Sequence, residues 1–274
     1  MKKISNEYLP ESDGPGTQTA RSLDIEQYSI PDQLDHRWAE FVNCSKRIAS
    51  MGPFLLKELP PHHRAVALDA AMGTGCEVQY LLRHCQRVVG NEINAELRTI
   101  ARKRIGNDHD GLELASILWQ DLGTHFSAGE FDIGLLLGNS FCLIAEHNQR
   151  RRIAEACRQI IKPGGAFIID ERNFPYLLNN RDRILREGFR YTRQVVYCGK
   201  RISGYPVTIE RARIRFAFED ILTKRILGYR TMYPLGPGDI KELFCESGFS
   251  HVDEYSDLKP IMDRTADFYT YVFR

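Results

Sequence analysis

The chain has 274 residues, of which 43% are hydrophobic and 27% charged, and this length suits one large α/β domain. A formal charge of +1 gives no overall field toward nucleic acid or acidic membranes, so neither is expected as a partner. The seven cysteines form no C-x-x-C pair, and no apolar run approaches the ~20 residues of a membrane span. We therefore expect a cytoplasmic protein with reduced thiols and without a metal site.

The amino-terminal segment changes character near residue 25. Residues 1–25 are rich in Lys, Glu, Ser, Gly and Pro, which predicts a flexible arm, and residues 26–274 are expected to form the folded domain. The pattern from Ile25 to Leu59 is helical and lies ahead of the first strand, where it could close over a ligand. Arg47 in this segment is either a ligand contact or a solvated residue on a helix face.

A glycine turn follows the first predicted strand. The apolar run Ala65–Leu68 predicts a buried strand, and a helix with apolar residues at helical spacing begins near Val78. Gly73 and Gly75 lie between them, where residues without a Cβ let backbone N–H groups approach a ligand at the start of the helix. Asp69 at the end of the strand can accept hydrogen bonds or support the turn.

An acidic residue ends the second predicted strand. The run Val88–Gly90 is followed by Asn91 and Glu92, and Glu92 lies about 20 residues past the glycine turn, where nucleotide-binding folds place the acid that holds a ribose. Strand, glycine turn, helix, strand and terminal acid at this spacing favour a nucleotide-binding crevice over an ordinary tight turn.

The third and fourth predicted strands also end in polar residues. A helix over Ala95–Arg104 precedes a strand over Leu112–Trp119, and this strand ends in Gln120 and Asp121. Asp121 could accept a hydrogen bond from an exocyclic amine such as that of adenine, or it could be a helix-cap or turn residue. The nearly uninterrupted apolar run Phe131–Leu137 predicts a central buried strand.

The turn after this central strand offers substrate contacts. It reads Gly138-Asn139-Ser140-Phe141, and the carboxyl ends of strands in open α/β sheets are where ligands bind. Asn139 could equally be a left-handed turn residue. A helix is predicted over Arg150–Ile161, and its basic outer face, which includes Arg150, is interpreted as solvated.

The fifth predicted strand leads to a mixed cluster of charges. Residues 163–165 predict a helix stop, and Ala166–Ile169 a buried strand that runs into Asp170, Glu171 and Arg172 on the ligand side of the sheet. The chain from about 190 to 233 then alternates as extended segments and predicts an antiparallel insertion. A helix, a strand and the final strand Phe268–Phe273 complete the sheet.

These motifs resemble a known family. They are L-D-A-A-M-G-T-G-C from Leu68, the acid Glu92, L-G-N-S-F at Leu137–Phe141, and K-P-G-G-A-F-I-I-D-E-R-N-F-P-Y-L-L from Lys162. The chain from about Trp38 to its carboxyl end is similar to class I S-adenosylmethionine-dependent methyltransferases, most of all to the glycine N-methyltransferase and glycine/sarcosine N-methyltransferase group. The resemblance implies an α/β, doubly wound, mostly parallel seven-stranded sheet of the Rossmann-like methyltransferase type, with a reversed last strand pair and the antiparallel insertion.

The resemblance also implies a cofactor, S-adenosyl-L-methionine, and the residues that hold it. Glu92 would take both ribose hydroxyls, and Arg47 would meet the cofactor's carboxylate. The remaining positions that would line the cofactor are Tyr28, Asp69, Ala71, Gly73, Gly75, Trp119, Gln120, Asp121 and Leu137.

The implied substrate is a small carboxylate-bearing amine such as glycine or sarcosine. Asn139 and Arg172 match the residues that hold it, with Arg172 as a two-point contact to its carboxylate, and Tyr197 and Tyr233 match pocket tyrosines. The segment Cys198–Glu219 departs from the pattern beside this pocket. Methylation of a larger secondary metabolite and a non-catalytic cofactor-binding protein therefore remain alternatives, and a homo-oligomer is left open.

A nucleotide-dependent dehydrogenase is the alternative from another reaction class. The third glycine of its G-x-G-x-x-G fingerprint would fall at Val78, which argues against close packing of a pyrophosphate. The insertion also brings no obvious histidine for a hydride site. The motifs therefore favour methyl transfer over hydride transfer.

Overall fold

The computed structural model describes residues 40–61, 64–106, 109–189 and 201–274. The predicted arm at 1–25 and the predicted site residues Tyr28 and Tyr197 lie outside these ranges. The helices of the described ranges are α1 (Cys44–Glu58), α2 (Cys76–Leu81), α3 (Ala95–Ile105), α4 (Leu122–His125), α5 (His147–Ile160), α6 (Phe174–Asn179), α7 (Arg181–Glu187) and α8 (Asp239–Glu246).

A seven-stranded sheet forms the centre of the domain. In spatial order its strands are β3 (Leu112–Ala115), β2 (Arg87–Asn91), β1 (Val66–Asp69), β4 (Phe131–Leu136), β5 (Ile161–Arg172), β10 (Phe268–Phe273) and β9 (Val252–Ser256). All neighbouring pairs up to β5 are parallel, whereas β10 is antiparallel to both of its neighbours. This arrangement confirms the predicted doubly wound, mostly parallel α/β fold.

The core lies in two layers on opposite faces of this sheet. Residues of β5 alternate between them, so that Phe167 packs in one layer and Ile168 in the other. Helices α1 to α3 belong to the layer that contains Leu55, and α4, α5 and α8 belong to the layer that contains Ile153 and Phe244. Helices on both faces explain why the central strands are apolar along almost their whole length.

A separate three-stranded antiparallel sheet confirms the predicted insertion. Its strands are β6 (Ile202–Ile209), β7 (Ile214–Asp220) and β8 (Ile226–Met232), in that spatial order. Turns at 210–213 and 221–225 connect these strands. In the second turn the Asp220 carboxylate accepts the N–H groups of Leu222 and Thr223 at 3.1 Å, which ends the strand.

Two predicted element boundaries are wrong. The third strand ends at Ala115, and Trp119–Asp121 is a short 3₁₀ helix, because the Asn91 amide binds the backbone N–H and C=O of Ile117 at 2.8 and 2.9 Å and takes that residue out of strand pairing. The predicted helix stop at 163–165 lies inside β5, whose pairing with β4 has an irregularity after Phe131.

The expectation of fully reduced thiols is also wrong. A disulfide joins Cys44 and Cys76, whose Cα atoms are 5.3 Å apart. Both cysteines begin helices, and because α1 packs against α2 the two helix starts meet although they are 32 residues apart in sequence. Sequence spacing alone does not reveal this contact. No helix in the part of the chain that the structure describes is long and apolar enough to cross a membrane.

Candidate active site

The sheet topology defines one crevice at the carboxyl ends of its strands. The chain runs outward from β1 to β2 and β3 and then returns to the other side of β1 as β4. At such a switch point the connections leave in opposite directions and open a ligand-binding crevice. Most of the described residues predicted for the cofactor and the substrate lie on the segments that follow these strands and at the end of β5, whereas Arg47 lies on α1 and Tyr233 follows β8.

The glycine turn after β1 is shaped by backbone geometry that other residues rarely adopt. Gly73 has a φ of +52° and Gly75 a φ of +79°. A Cβ at Gly75 would meet the side chains of Ile105 and Ala101 at 3.0 and 3.1 Å, whereas a Cβ at Gly73 would meet nothing within 4 Å. Gly75 therefore permits close packing of α2 against α3, and Gly73 borders open space on the ligand side.

Glu92 faces the glycine turn from the end of β2. Its Oε2 accepts the N–H of Gly73 at 3.2 Å, and its Oε1 accepts the N–H of Asn94 at 2.8 Å. Burial raises the pKa of Glu92 above its usual value. Each carboxylate oxygen has a second lone pair, so Glu92 can accept two further hydrogen bonds, which is what a pair of ribose hydroxyls requires.

Asn91 and Trp119 fix the wall of the crevice after β3. The Asn91 amide donates to the carbonyls of Ala70 and Ile117 at 3.1 and 2.9 Å, and the Trp119 indole N–H donates to the same Ala70 carbonyl at 2.7 Å. Next to these polar anchors, the side chains of Ile93 and Leu118 are 60% and 49% exposed. Ile93 follows the acid Glu92 and Leu118 precedes Trp119, and exposed apolar side chains of this kind suit the faces of a flat aromatic base.

A buried cluster of charges lies behind the glycine turn. Arg47 of α1 forms an ion pair with Glu77 of α2, and both side chains are buried. Burial raises the pKa of Asp69 well above its usual value, and the Glu77 carboxylate raises it further, whereas the positive charge of Arg47 lowers it. Burial also raises the pKa of Asp170 above its usual value, and the positive charge of Arg47 acts in the opposite direction there too, so Arg47 interacts with three carboxyl groups.

Asn139 connects the ends of β4 and β5. It has a φ of 59°, which confirms a left-handed turn residue, and its backbone N–H donates to the Asp170 carboxylate at 2.6 Å. Its side-chain oxygen accepts the backbone N–H of Arg172 at 2.8 Å, and its amide nitrogen donates to the sulfur of Met232 at 3.3 Å. The left-handed turn is therefore one of the two alternatives that the sequence left open, and the substrate contact stays a prediction.

Arg172 carries a buried positive charge at the end of β5. Its guanidinium carbon lies 4.9 Å from the ring centre of Phe216, 5.0 Å from that of Phe268 and 5.8 Å from that of Phe189. Phe216 belongs to β7, so the antiparallel insertion supplies part of this aromatic surrounding. Cation–π contacts of this kind stabilise a positive charge that is removed from water.

Tyr233 follows β8 and is held at the same end of the sheet. Its backbone N–H donates to the carbonyl of Cys142 at 2.7 Å, and its own carbonyl accepts from Arg150 at 2.7 Å. Because Cys142 lies three residues after Asn139, these contacts bring the loop after β4 and the end of the insertion together.

The remaining predicted positions lie along the same segments. The backbone N–H of Ala71 donates to Asp69 at 3.2 Å, and the carbonyl of Leu137 accepts from Ser140 at 2.7 Å. Asp121 belongs to the 3₁₀ helix that follows the crevice wall. The Gln120 side chain instead accepts a hydrogen bond from Gln149 on α5 at 3.0 Å, which holds it against that helix.

Several residues of the site were not predicted. Glu77 and Asn91 act through tertiary contacts, and nothing in the local pattern distinguishes them from ordinary helix-start and strand-end residues. Ile93 does carry a signal, because it is apolar and directly follows Glu92 where a predicted strand has ended, whereas Leu118 lies inside the predicted third strand.

Comparison with known proteins identifies the class. Residues 68–169 match a family described as a methyltransferase domain. An S-adenosylmethionine-dependent methyltransferase from Clostridium acetobutylicum has the same fold, with a TM-score of 0.61 and 16% identity over 91% of this chain and 94% of that one. An S-adenosylmethionine-bound amino pentose methyltransferase from Micromonospora echinaspora aligns with a TM-score of 0.52 and 14% identity over 84% of this chain and 88% of that one. The protein is an S-adenosylmethionine-dependent methyltransferase.

Within this class the chain resembles enzymes that are named for a small amine. It is 28% identical over 262 residues to the glycine/sarcosine N-methyltransferase of Halorhodospira halochloris, covering 94% of this chain and 93% of that one. It is 29% identical over 254 residues to the protein of the same name from Aphanothece halophytica, covering 92% of each. The resemblance stated from the motifs is therefore confirmed along almost the whole chain.

Proposed function

We propose that the protein is an N-methyltransferase that acts on a small carboxylate-bearing amine such as glycine or sarcosine. The observation that carries this proposal is the buried guanidinium of Arg172, which lies among aromatic rings at the carboxyl end of β5, where the backbone N–H of Arg172 is bound to Asn139. A planar, permanently charged group in low-polarity surroundings is suited to two-point binding of a carboxylate. The relatives named as glycine/sarcosine N-methyltransferases support the same substrate class.

The crevice residues fit S-adenosylmethionine. Glu92 retains acceptor capacity for the ribose hydroxyls, Gly73 borders open space, and Ile93 and Leu118 offer exposed apolar surface for adenine. Arg47 would bind the cofactor's carboxylate while Glu77 holds its guanidinium in place. When bound, S-adenosylmethionine supplies a methyl group attached to a positively charged sulfur.

The residues of the pocket have three tasks in methyl transfer to nitrogen. Arg172 binds the substrate's carboxylate, which orients the neutral amine toward the methyl group. The Asn139 NH2 group has two N–H bonds, and only one is needed for the weak thioether acceptor Met232, so the other can donate to the substrate while the amide oxygen stays on the Arg172 N–H. Tyr233 would contribute its hydroxyl, and the small sheet β6 to β8 would act as a lid that keeps water out.

A methylation assay read by mass spectrometry tests the proposal. The protein is incubated with S-adenosylmethionine and, separately, glycine, sarcosine, dimethylglycine, other amino acids and a small-molecule extract. We expect a gain of one methyl group on glycine or sarcosine. A product found only in the extract would assign the enzyme to a larger metabolite, and tight cofactor binding without any product would assign it to non-catalytic binding.

Two substitutions separate the substrate site from the cofactor site. Arg172→Lys keeps the charge but loses the planar two-point contact, so we expect KM for a carboxylate substrate to rise while the Kd of S-adenosylmethionine is unchanged. Glu92→Gln should raise the Kd of S-adenosylmethionine and leave KM for the carboxylate substrate unchanged. Unchanged turnover of every carboxylate substrate by the Arg172→Lys variant would show that the anchoring role is wrong.

A further inference from the structure

Arg150 differs from the arginines that surround it on α5. The sequence pattern places it on a solvated basic face, yet it is only 9% exposed, whereas Arg151 and Arg152 are exposed. Its Nε donates to the carbonyl of Ile144 at 2.8 Å, and its Nη2 donates to the carbonyl of Tyr233 at 2.7 Å. A single buried guanidinium therefore joins two segments that are far apart in sequence.

These two segments carry candidate substrate residues. Ile144 lies five residues after Asn139 in the loop between β4 and α5, and Tyr233 follows the last strand of the insertion. The loop is bound to Tyr233 a second time, because the Tyr233 N–H donates to the Cys142 carbonyl at 2.7 Å. The Cys142 thiol in turn donates to the Asn139 carbonyl at 2.8 Å. Hydrogen bonds at both its N–H and its C=O thus fix the backbone of Tyr233 relative to Asn139.

The geometry requires arginine. The fork of a guanidinium reaches two carbonyl groups at once, whereas the single ammonium of lysine donates from one point. Burial lowers the pKa of Arg150, but Asp239 and Glu171 act in the opposite direction, and an arginine remains charged in any case. Hydrogen bonds from a charged donor are stronger than neutral ones, so these contacts hold the two segments firmly.

We propose that Arg150 is a positioning residue that sets the location of Tyr233 relative to Asn139 for methyl transfer. This inference rests on the proposed function, because the role of Tyr233 in the substrate pocket is part of it. Arg150 itself is not expected to touch the substrate or the cofactor.

Hydrogen–deuterium exchange tests the positioning directly and needs no substrate. The variants are Arg150→Met and Arg150→Lys, and Arg152→Ala on the same helix is the matched control. We expect faster exchange in residues 139–144 and 231–235 of both Arg150 variants, with the control unchanged. Exchange in these two segments that matches the wild type would overturn the proposal. If Arg150→Met does not fold, Arg150→Lys decides the question.

A double-mutant cycle tests whether Arg150 acts through Tyr233. We expect Arg150→Met to lower kcat/KM for the methyl acceptor by about ten- to a hundredfold, as the loss of charged hydrogen bonds does, without a change in the Kd of S-adenosylmethionine. Combined with Tyr233→Phe, the loss should be no greater than that of the more damaging single variant. Losses that multiply would show that Arg150 acts independently of Tyr233 and would overturn the inference.

The two proposals fail in distinguishable ways. If glycine and sarcosine are not methylated, the proposed substrate is wrong, and the cycle is then measured with whichever acceptor the extract provides. If Tyr233→Phe has full activity while Arg150→Met does not, the inference is wrong whatever the substrate. Fast exchange in the two segments would still support the positioning role if no acceptor is found.

Discussion

The side-chain oxygen of Asn139 accepts the backbone N–H of Arg172 at 2.8 Å, and this hydrogen bond ties the turn after β4 to the end of β5. Asn139 adopts a φ of 59° to make it. A non-glycine residue in this conformation is uncommon, and such residues are concentrated at functional sites. The contact therefore connects a locally unfavourable backbone conformation to the placement of the proposed carboxylate anchor.

Substitution of Asn139 separates its side chain from its backbone. Glycine at position 139 adopts the left-handed conformation readily but cannot make the side-chain hydrogen bonds. Alanine cannot make these hydrogen bonds either, and it is also strained in the left-handed conformation. We therefore expect Asn139→Ala to be less stable than Asn139→Gly by about 1–2 kcal/mol. Both variants should lose about tenfold or more in kcat/KM, because each leaves the Arg172 N–H without this acceptor. Urea denaturation and the methylation assay measure the two effects.

The control for this prediction is Lys224→Gly. Lys224 has a nearly identical φ of 58° but lies in the turn between β7 and β8. Lys224→Gly removes the strain of a non-glycine residue in the left-handed conformation, so it should raise the free energy of unfolding without affecting activity. Equal stability of the Asn139 variants would contradict the conformational part of the prediction, and full activity of either would contradict the placement of Arg172.

The buried pair Arg47 and Glu77 gives a second prediction. Removal of one partner leaves an uncompensated buried charge, which typically costs about 3–5 kcal/mol. We expect Arg47→Met to be the more damaging change, because it leaves Asp69, Asp170 and Glu77 together without their cation. Glu77→Gln should lower the free energy of unfolding by less, since Arg47 still interacts with Asp69 and Asp170. Urea denaturation of both variants measures the difference.

An exposed ion pair on α5 provides the comparison. Arg151 lies 4.0 Å from Glu155, and both side chains are more than half exposed. Such pairs contribute at most about 0.5 kcal/mol, so Arg151→Ala should leave the free energy of unfolding almost unchanged. A loss for Arg47→Met as small as that of the control would show that the buried pair is not needed for folding.

The sequence predicted those parts of the site that depend on local pattern. The glycine turn, Glu92 and the Gly138-Asn139 turn follow apolar strands directly, so strand, turn and polar residue can be recognised in one short window. Arg150 could not be predicted correctly, because whether an arginine on a helix is buried depends on α8 and on the end of the insertion, both of which are distant in sequence.

Contacts between different helices could not be predicted from the sequence either. Arg47 and Glu77 are 30 residues apart, and nothing in either helix pattern indicates that their charged faces meet. The same contact between α1 and α2 brings Cys44 to Cys76, although an odd number of scattered cysteines favours reduced thiols. The order of the strands was predictable only through the family resemblance, because strand patterns alone do not specify which strands become neighbours.

The disulfide gives a third prediction. A cross-link between residues 32 apart removes conformational entropy from the unfolded chain, and the chain-entropy relation gives about 3–4 kcal/mol for a loop of this size. Reduction of the wild type with dithiothreitol should therefore lower the free energy of unfolding by about that amount. The Cys44→Ser, Cys76→Ser double variant should have the lower stability with or without the reductant.

Two controls support this measurement. Cys245 is exposed and has no disulfide partner in the described part of the chain, so Cys245→Ser should respond to the reductant as the wild type does. Intact mass spectrometry of the native protein should show a mass about 2 Da below that of the fully reduced chain. A native mass equal to the reduced mass would contradict the cross-link.

Glu171 gives the fourth prediction, which concerns pH. Its side chain is buried at the end of β5 and accepts a hydrogen bond from the Tyr271 hydroxyl at 2.8 Å. Burial raises the pKa of Glu171 from 4.5 to about 8. Between these two pH values the folded protein holds a proton that the unfolded chain has released. Stability therefore falls as the pH rises from 4.5, and the loss is complete once the pH passes the folded pKa.

Glu171→Gln removes this titration while keeping a polar group of similar size for Tyr271. We expect the free energy of unfolding of the variant, relative to the wild type, to increase by about 1.4 kcal/mol for each pH unit between pH 5 and 8. Urea denaturation at unit intervals of pH measures this slope, with the exposed Glu155→Gln as control. If the stability curves of Glu171→Gln and the wild type run parallel over this range, then Glu171 titrates in the folded protein as it does in the unfolded chain, and burial does not raise its pKa.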